Sequence, residues 1–135
     1  MQTTELTFTT GKRPVTLDFT DEVVAFCRDK GDGLVSIFVP HATAGVAVFE
    51  TGAGTEADLL GVIDALLPAD STRWRHDHGT PGHGRDHVLP AFISPSLTIP
   101  VVDGQPALGT WQSIVLVDSN VDNQTRKVRL AFLPG

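Results

Sequence analysis

Four of the five histidines in this 135-residue chain, His76, His78, His83 and His87, fall inside twelve residues of the stretch RWRHDHGTPGHGRDHVLPAF, Arg73 to Phe92. A neutral imidazole is a common ligand for zinc and similar ions, which need three or four donors at about 2.0–2.1 Å per nitrogen. The chemistry to expect is therefore metal coordination, and imidazole favours Zn²⁺ or a related divalent transition ion over Mg²⁺ or Ca²⁺. His76 and His78 share a face if their segment is extended, whereas His83 and His87 share one only if theirs is helical. Gly84 weakens a helix there and Pro90 limits it. At least two of these histidines are taken as metal ligands or catalytic groups, with His83 and His87 the harder pair to bring together. Arg75 and Arg85 flank them as candidate binders of an anionic substrate. The competing interpretation is a polar, Gly-rich loop that simply exposes its histidines.

The fifth histidine, His41, follows Pro40 and opens a strand that Glu50 closes. A histidine and a carboxylate are the usual partners in general acid–base chemistry. Nine residues of straight strand separate the two by roughly 30 Å, so direct pairing needs a break near Gly45. His41 and Glu50 are taken as candidate catalytic residues. No HExxH, P-loop or GxGxxG occurs, and no serine sits in a nucleophile elbow,.

The elements that must position these groups follow from periodicity. Leu6 and Phe8, then Val15, Leu17 and Phe19, alternate with polar neighbours as half-buried strands do. Thr20 as N-cap, Asp21 and Glu22 in the first turn, and Val23, Phe26 and Cys27 as an apolar stripe predict a short helix stopped by Gly31. LVSIFVP (Leu34 to Pro40) and AGVAVFE (Ala44 to Glu50) read as buried strands,. Thr55 and Asp58 have capping-box spacing ahead of a second helix that runs to Pro68. The histidine segment reads as a long shaped loop. SLTIPVVDG and the run from Ala107 to Asp118 predict strands around an Asp103-Gly104 turn, and a last strand covers Arg126 to Leu133. About seven strands and two helices without βαβ alternation predict one α+β domain over residues 1–135. Its form is a mostly antiparallel β-sandwich with the two helices packed outside. In the penultimate strand Trp111 and Gln112 point to opposite faces. Trp111 is expected as a packing anchor, and Gln112 as a substrate-binding amide that must find partners.

Composition narrows the function. A net charge of −6 with ten scattered Lys and Arg excludes a general nucleic-acid or anionic-membrane surface. The N-terminus, MQTTELTFTT, has neither a basic start nor an apolar run, and no segment approaches the ~20 apolar residues of a membrane helix. Cys27 is alone, so no internal disulfide forms and a reducing, cytoplasmic setting is expected. Cys27 itself reads as a buried small hydrophobe.

Three segments together resemble one known family. HATAGVAVFE (His41 to Glu50), SPSLTIPVVDGQPALGTWQSI (Ser94 to Ile114) and His76-Asp77 placed eleven residues before His87 look like the signatures of the YjbQ-like family, also called secondary thiamine-phosphate synthases. The resemblance implies a β-sandwich-like α+β domain, a homotrimer, a site near His41, His76 and His87, and a weak thiamine-phosphate-forming activity. Thr43, inside the first segment, joins the candidate substrate-binding residues. The chain departs from the family pattern at Leu89, where many relatives carry lysine, and at His83, where they often carry Asp or Asn.

Two functional classes follow. In the first, a divalent metal held by His76, His83 and His87 serves a hydrolase, lyase or transferase acting on a small phosphorylated compound, with proton transfer by His41. In the second, a non-catalytic trimer binds a small ligand or metal.

Overall fold

Period-2 strands and apolar helical stripes assemble into an α+β fold built on two antiparallel sheets. The structure, a computed structural model, describes all 135 residues apart from the side chain of Ser71. The larger sheet joins β1 (Gln2–Thr9), β8 (Thr125–Pro134), β3 (Gly33–Phe38), β5 (Ser96–Val102) and β6 (Gln105–Pro106), in that order. The smaller sheet places β7 (Ser113–Asp118) between β2 (Val15–Asp18) and β4 (Ala44–Phe49). Helices α1 (Thr20–Cys27) and α2 (Thr55–Leu66) are followed along the chain by two one-turn helices, α3 (His83–Asp86) and α4 (Leu89–Phe92). All strand pairings are antiparallel.

Register decides which side chains enter the core. In β3, Val35 and Ile37 turn inward, and they stand opposite Phe132 and Leu130 of β8 and Ile99 and Leu97 of β5. Val35, Ile37, Val128 and Leu130 are at most 1% exposed, and each such burial is worth about 1.5–3 kcal/mol. Both sheets and α1 contribute to this core, which also contains Ile114, Leu116, Val23 and Cys27. The alternate residues of β7, Val115 and Val117, face a second core with Ile63 and Leu67 from the α2 end and Leu89 from α4. The run IVLV in β7 is thus apolar at every position because both its faces are covered.

Several expectations are corrected. The large and small sheets share a core, but the helices do not form a simple outer pair, since α1 sits in the shared core and only α2 and α4 cover the far face of the small sheet. Thr20 lies one residue inside α1, because its hydroxyl donates to Asp18 at 2.6 Å and accepts from the Ile114 amide at 2.8 Å instead of capping. The helix ends at Cys27, ahead of Gly31, with Asp29 in the left-handed region (φ 64°). The capping box at Thr55 does not form. Gly54 is the N-cap, and the Gly52 amide donates to Glu56 Oε1 at 2.7 Å. The strand expected from Ala107 begins only at Ser113, because the Gln112 amide closes a turn onto the Gly109 carbonyl at 3.0 Å. Trp111 therefore sits in that turn, 74% exposed, and is no packing anchor. The Asp103-Gly104 turn forms with both residues at positive φ.

Candidate metal centre

The histidine segment is not a plain loop. Gly82, at φ 91°, caps α3, and that single turn carries His83 at its start and leads into His87 one turn later. Four-residue spacing on helical backbone puts both imidazoles on one face. His76 arrives from the other side. Trp74 Nε1 donates to the Pro68 carbonyl at 2.9 Å and anchors the segment that follows α2. Gly84 then admits it: a Cβ at Gly84 would collide with the His76 carbonyl oxygen and stand 2.8 Å from Trp74 Cβ. Only a glycine lets the His76 backbone lie directly on α3.

The four rings form one cluster. His76 stacks on His87 with ring centroids 4.3 Å apart, and lies 5.0 Å from His83. His83 and His87 meet edge to face at 4.8 Å. The candidate ligand atoms of His76, His83 and His87 all lie within 4.8 Å of one another. His83 Nε2 and His87 Nε2 stand 3.2 Å apart. Two nitrogens bound to one tetrahedral zinc-class ion would be separated by roughly 3.3 Å, so this pair already has coordinating spacing. His78 touches the cluster, with its ring 4.4 Å from His76 and 4.9 Å from His83, but its nitrogens lie outside the convergent set.

Carboxylates line the underside. His83 Nδ1 is 2.8 Å from Asp122 Oδ2, and Thr80 Oγ1 donates to the other oxygen of Asp122 at 2.7 Å. Asp86, the residue before His87, is 3% exposed and accepts from Ser119 Oγ at 2.6 Å, Arg85 Nε at 2.8 Å and Asn120 Nδ2 at 3.1 Å. The Asn120 backbone amide also donates to Asp118 Oδ1 at 3.0 Å, and Arg126 pairs with Asp118 at 2.7 and 2.9 Å. Sequence reasoning missed Asp86, Ser119, Asn120 and Asp122. The only signal for Ser119, Asn120 and Asp122 is a polar run, DSNVDNQ, set between two apolar strands, whereas Asp86 lies inside the histidine segment itself.

The electrostatics favour neutral rings. Burial is the first cause that lowers the pKa of His76 and of His87, and the neighbouring imidazoles are the second, since a proton on one opposes a proton on the next,. The Asp122 carboxyl is held below the usual range first by the Thr80 hydroxyl and then by His83.

The other candidates are placed elsewhere. Arg85 is 6% exposed and turned inward, donating to Asp86, Asp64 and the Leu67 carbonyl. Its guanidinium ties α3 to α2. Arg75 is exposed beside His76. His41 stands outside the ring cluster, where its Nε2 accepts the Lys127 amide at 2.8 Å, and burial followed by the Arg126 charge lowers its pKa. Thr43 is 4% exposed, and its hydroxyl accepts from Arg126 at 2.9 Å. Unbroken β4 keeps His41 and exposed Glu50 at opposite ends of one strand, so they form no pair within the chain. Gln112 is exposed, and its Oε1 accepts the Gly109 amide at 2.8 Å within the turn.

Comparison with known proteins gives a consistent result. A family model described as "UPF0047 protein YjbQ-like" matches residues 4–135. The chain is 58% identical over its full length, and over the relative's full length, to UPF0047 protein Rv2556c of Mycobacterium tuberculosis. It is 33% identical over 92% of its length to a UPF0047 protein of Archaeoglobus fulgidus, covering 95% of that protein. Among solved structures, the hypothetical protein APE1520 from Aeropyrum pernix K1 superposes with a TM-score of 0.89 at 33% identity, with both chains fully covered. A YbjQ-like protein of unknown function, SSO2532 from Sulfolobus solfataricus P2, shares the fold with a TM-score of 0.91 at 24% identity, over 99% of this chain and 97% of that one.

Proposed function

This chain belongs to the YjbQ-like UPF0047 family, and we propose that its histidine cluster holds a divalent, zinc-class metal and serves an enzyme acting on a small phosphorylated compound. The observation that carries this reading is the convergence of His76, His83 and His87, with Nε2 of His83 and His87 at 3.2 Å. Three protein imidazoles leave a fourth position for water or substrate, the arrangement typical of catalytic zinc sites. Such an ion supplies Lewis-acid stabilisation to charge that builds on a phosphoryl oxygen.

The surroundings support a cation. The Asp122 carboxylate lies 2.8 Å from His83 Nδ1, and buried Asp86, the residue before His87, is held by Arg85, Ser119 and Asn120. Exposed Arg75, next to His76, is the group suited to hold a substrate anion. His41 and Glu50 enter this chemistry only across a contact between copies. The exposed apolar side chains Leu34, Phe38, Val102 and Leu133 on the outward face of the larger sheet support assembly, and we propose the homotrimer,.

Leu89 favours a hydrolase or lyase over coupling of a pyrimidine methyl diphosphate to a thiazole phosphate. It is fully buried at the position where the family resemblance places a lysine in many relatives, so it offers a leaving diphosphate no cation,. The test is to load tag-free protein with Zn²⁺, Mn²⁺ or Co²⁺ and assay phosphate release from a panel of small phosphomonoesters, beside thiamine-phosphate formation. Release that depends on metal and disappears in His87→Ala is expected. A metal-loaded protein inert toward the whole panel would instead leave a non-catalytic metal- or ligand-binding protein.

A further inference from the structure

We infer that Asp122 is the positioning residue of the candidate metal centre: its carboxylate fixes the ring proton of His83 on Nδ1 and leaves Nε2 as the coordinating atom. This rests on the metal-binding reading above, and its own argument is geometric. A carboxylate has only acceptors, so the imidazole nitrogen 2.8 Å from Asp122 Oδ2 is the one that carries the hydrogen,. In a neutral imidazole the lone pair then lies on Nε2. That is the atom facing His87 Nε2 at 3.2 Å.

Asp122 is itself held on several sides. Thr80 Oγ1 donates to Oδ1 at 2.7 Å, Asn120 Nδ2 approaches Oδ2 at 3.5 Å, and the Asp122 amide donates to Asn120 Oδ1 at 3.1 Å. Thr80 and His83 belong to one turn, closed by the His83 amide on the Thr80 carbonyl at 3.0 Å. The carboxylate thus grips that turn at two points. Asn120 is 1% exposed, and its Nδ2 also donates to Asp86, the residue preceding His87. One buried amide therefore links the supports of both ring partners. Orienting partners of this kind hold a ligand's tautomer and ring plane, and their loss typically costs roughly 10–100-fold in metal affinity.

The test is Asp122→Asn, nearly isosteric but able to offer an N–H to Nδ1. Long-range ¹⁵N–¹H spectra of metal-free protein report the His83 tautomer, and Co²⁺ titration reports affinity together with the visible spectrum of the bound ion. Wild-type protein should show the Nδ1–H form. Asp122→Asn should shift it toward Nε2–H, weaken Co²⁺ binding roughly 10–100-fold and alter the spectrum. Thr80→Val, which removes only the support of Asp122, should weaken binding less and in the same direction. An Nε2–H tautomer in wild-type protein overturns the inference. So does an Asp122→Asn protein with unchanged tautomer, affinity and spectrum. If wild-type protein binds no Co²⁺, the metal-binding reading fails, while the tautomer measurement still decides what Asp122 does.

Discussion

Nε2 of His83 lies 3.2 Å from Nε2 of His87, a spacing that admits one shared proton or one shared cation but not a proton on each nitrogen. The same exclusion extends to His76, whose ring stacks on His87 at 4.3 Å. The cluster is therefore built for neutral rings, and its first consequence is a pH dependence.

Burial and neighbouring imidazoles lower the pKa of His76 and His87 in the folded chain. Unfolded, these rings titrate at about 6.5. Protons then bind the unfolded chain more readily, so the stability held by neutral rings is complete above that pH and is lost as pH falls through the folded values. The thermal midpoint of metal-free protein should decline from pH 7 toward pH 5, and less steeply in His87→Gln. Equal slopes for the two proteins would contradict the crowding of the rings.

Gly84→Ala places a Cβ against the His76 carbonyl and Trp74. Overpacking of this kind costs about 1–3 kcal/mol, and here the displaced segment is the one that carries His76. Urea unfolding should show that loss, and Co²⁺ titration should show weakened binding in the same protein. Unchanged metal affinity would mean that His76 is not a ligand.

Arg126 and Asp118 are 1% and 0% accessible, and Asp118 also receives the Asn120 amide. Arg126→Met leaves a buried carboxylate without its partner, and a loss of about 3–5 kcal/mol is expected in urea unfolding. Arg126→Met combined with Asp118→Asn should recover part of it. Recovery is the informative readout, because it separates an uncompensated charge from simple loss of packing.

How much of this was legible in the sequence depends on distance along the chain. The α+β class, the strands from Leu34 to Glu50 and the Asp103-Gly104 turn follow from local periodicity and turn chemistry, and the structure has them. His83 and His87 share a face only on a helix, and α3 supplies that turn despite Gly84, because Gly84 serves the close approach of His76. Asp122 could not be found this way. It pairs with His83 across 39 positions, and an aspartate in a polar run between strands has no period that points at a histidine. Trp111 misled for a different reason. Apolar character predicts burial on average, yet the turn closed by Gly109 and Gln112 holds this indole outward,. The histidines beside Arg85 in sequence suggest an anion clamp. Only the fold reveals that Asp86, Asp64 and the Leu67 carbonyl take its donors.

The most direct test of the central claim is the metal content of protein purified without a polyhistidine tag, equilibrated with Zn²⁺ and desalted. About one ion per chain is expected for a three-imidazole site, falling close to zero when His83 and His87 are both replaced by alanine. Wild-type protein that retains no more metal than that double variant would contradict it.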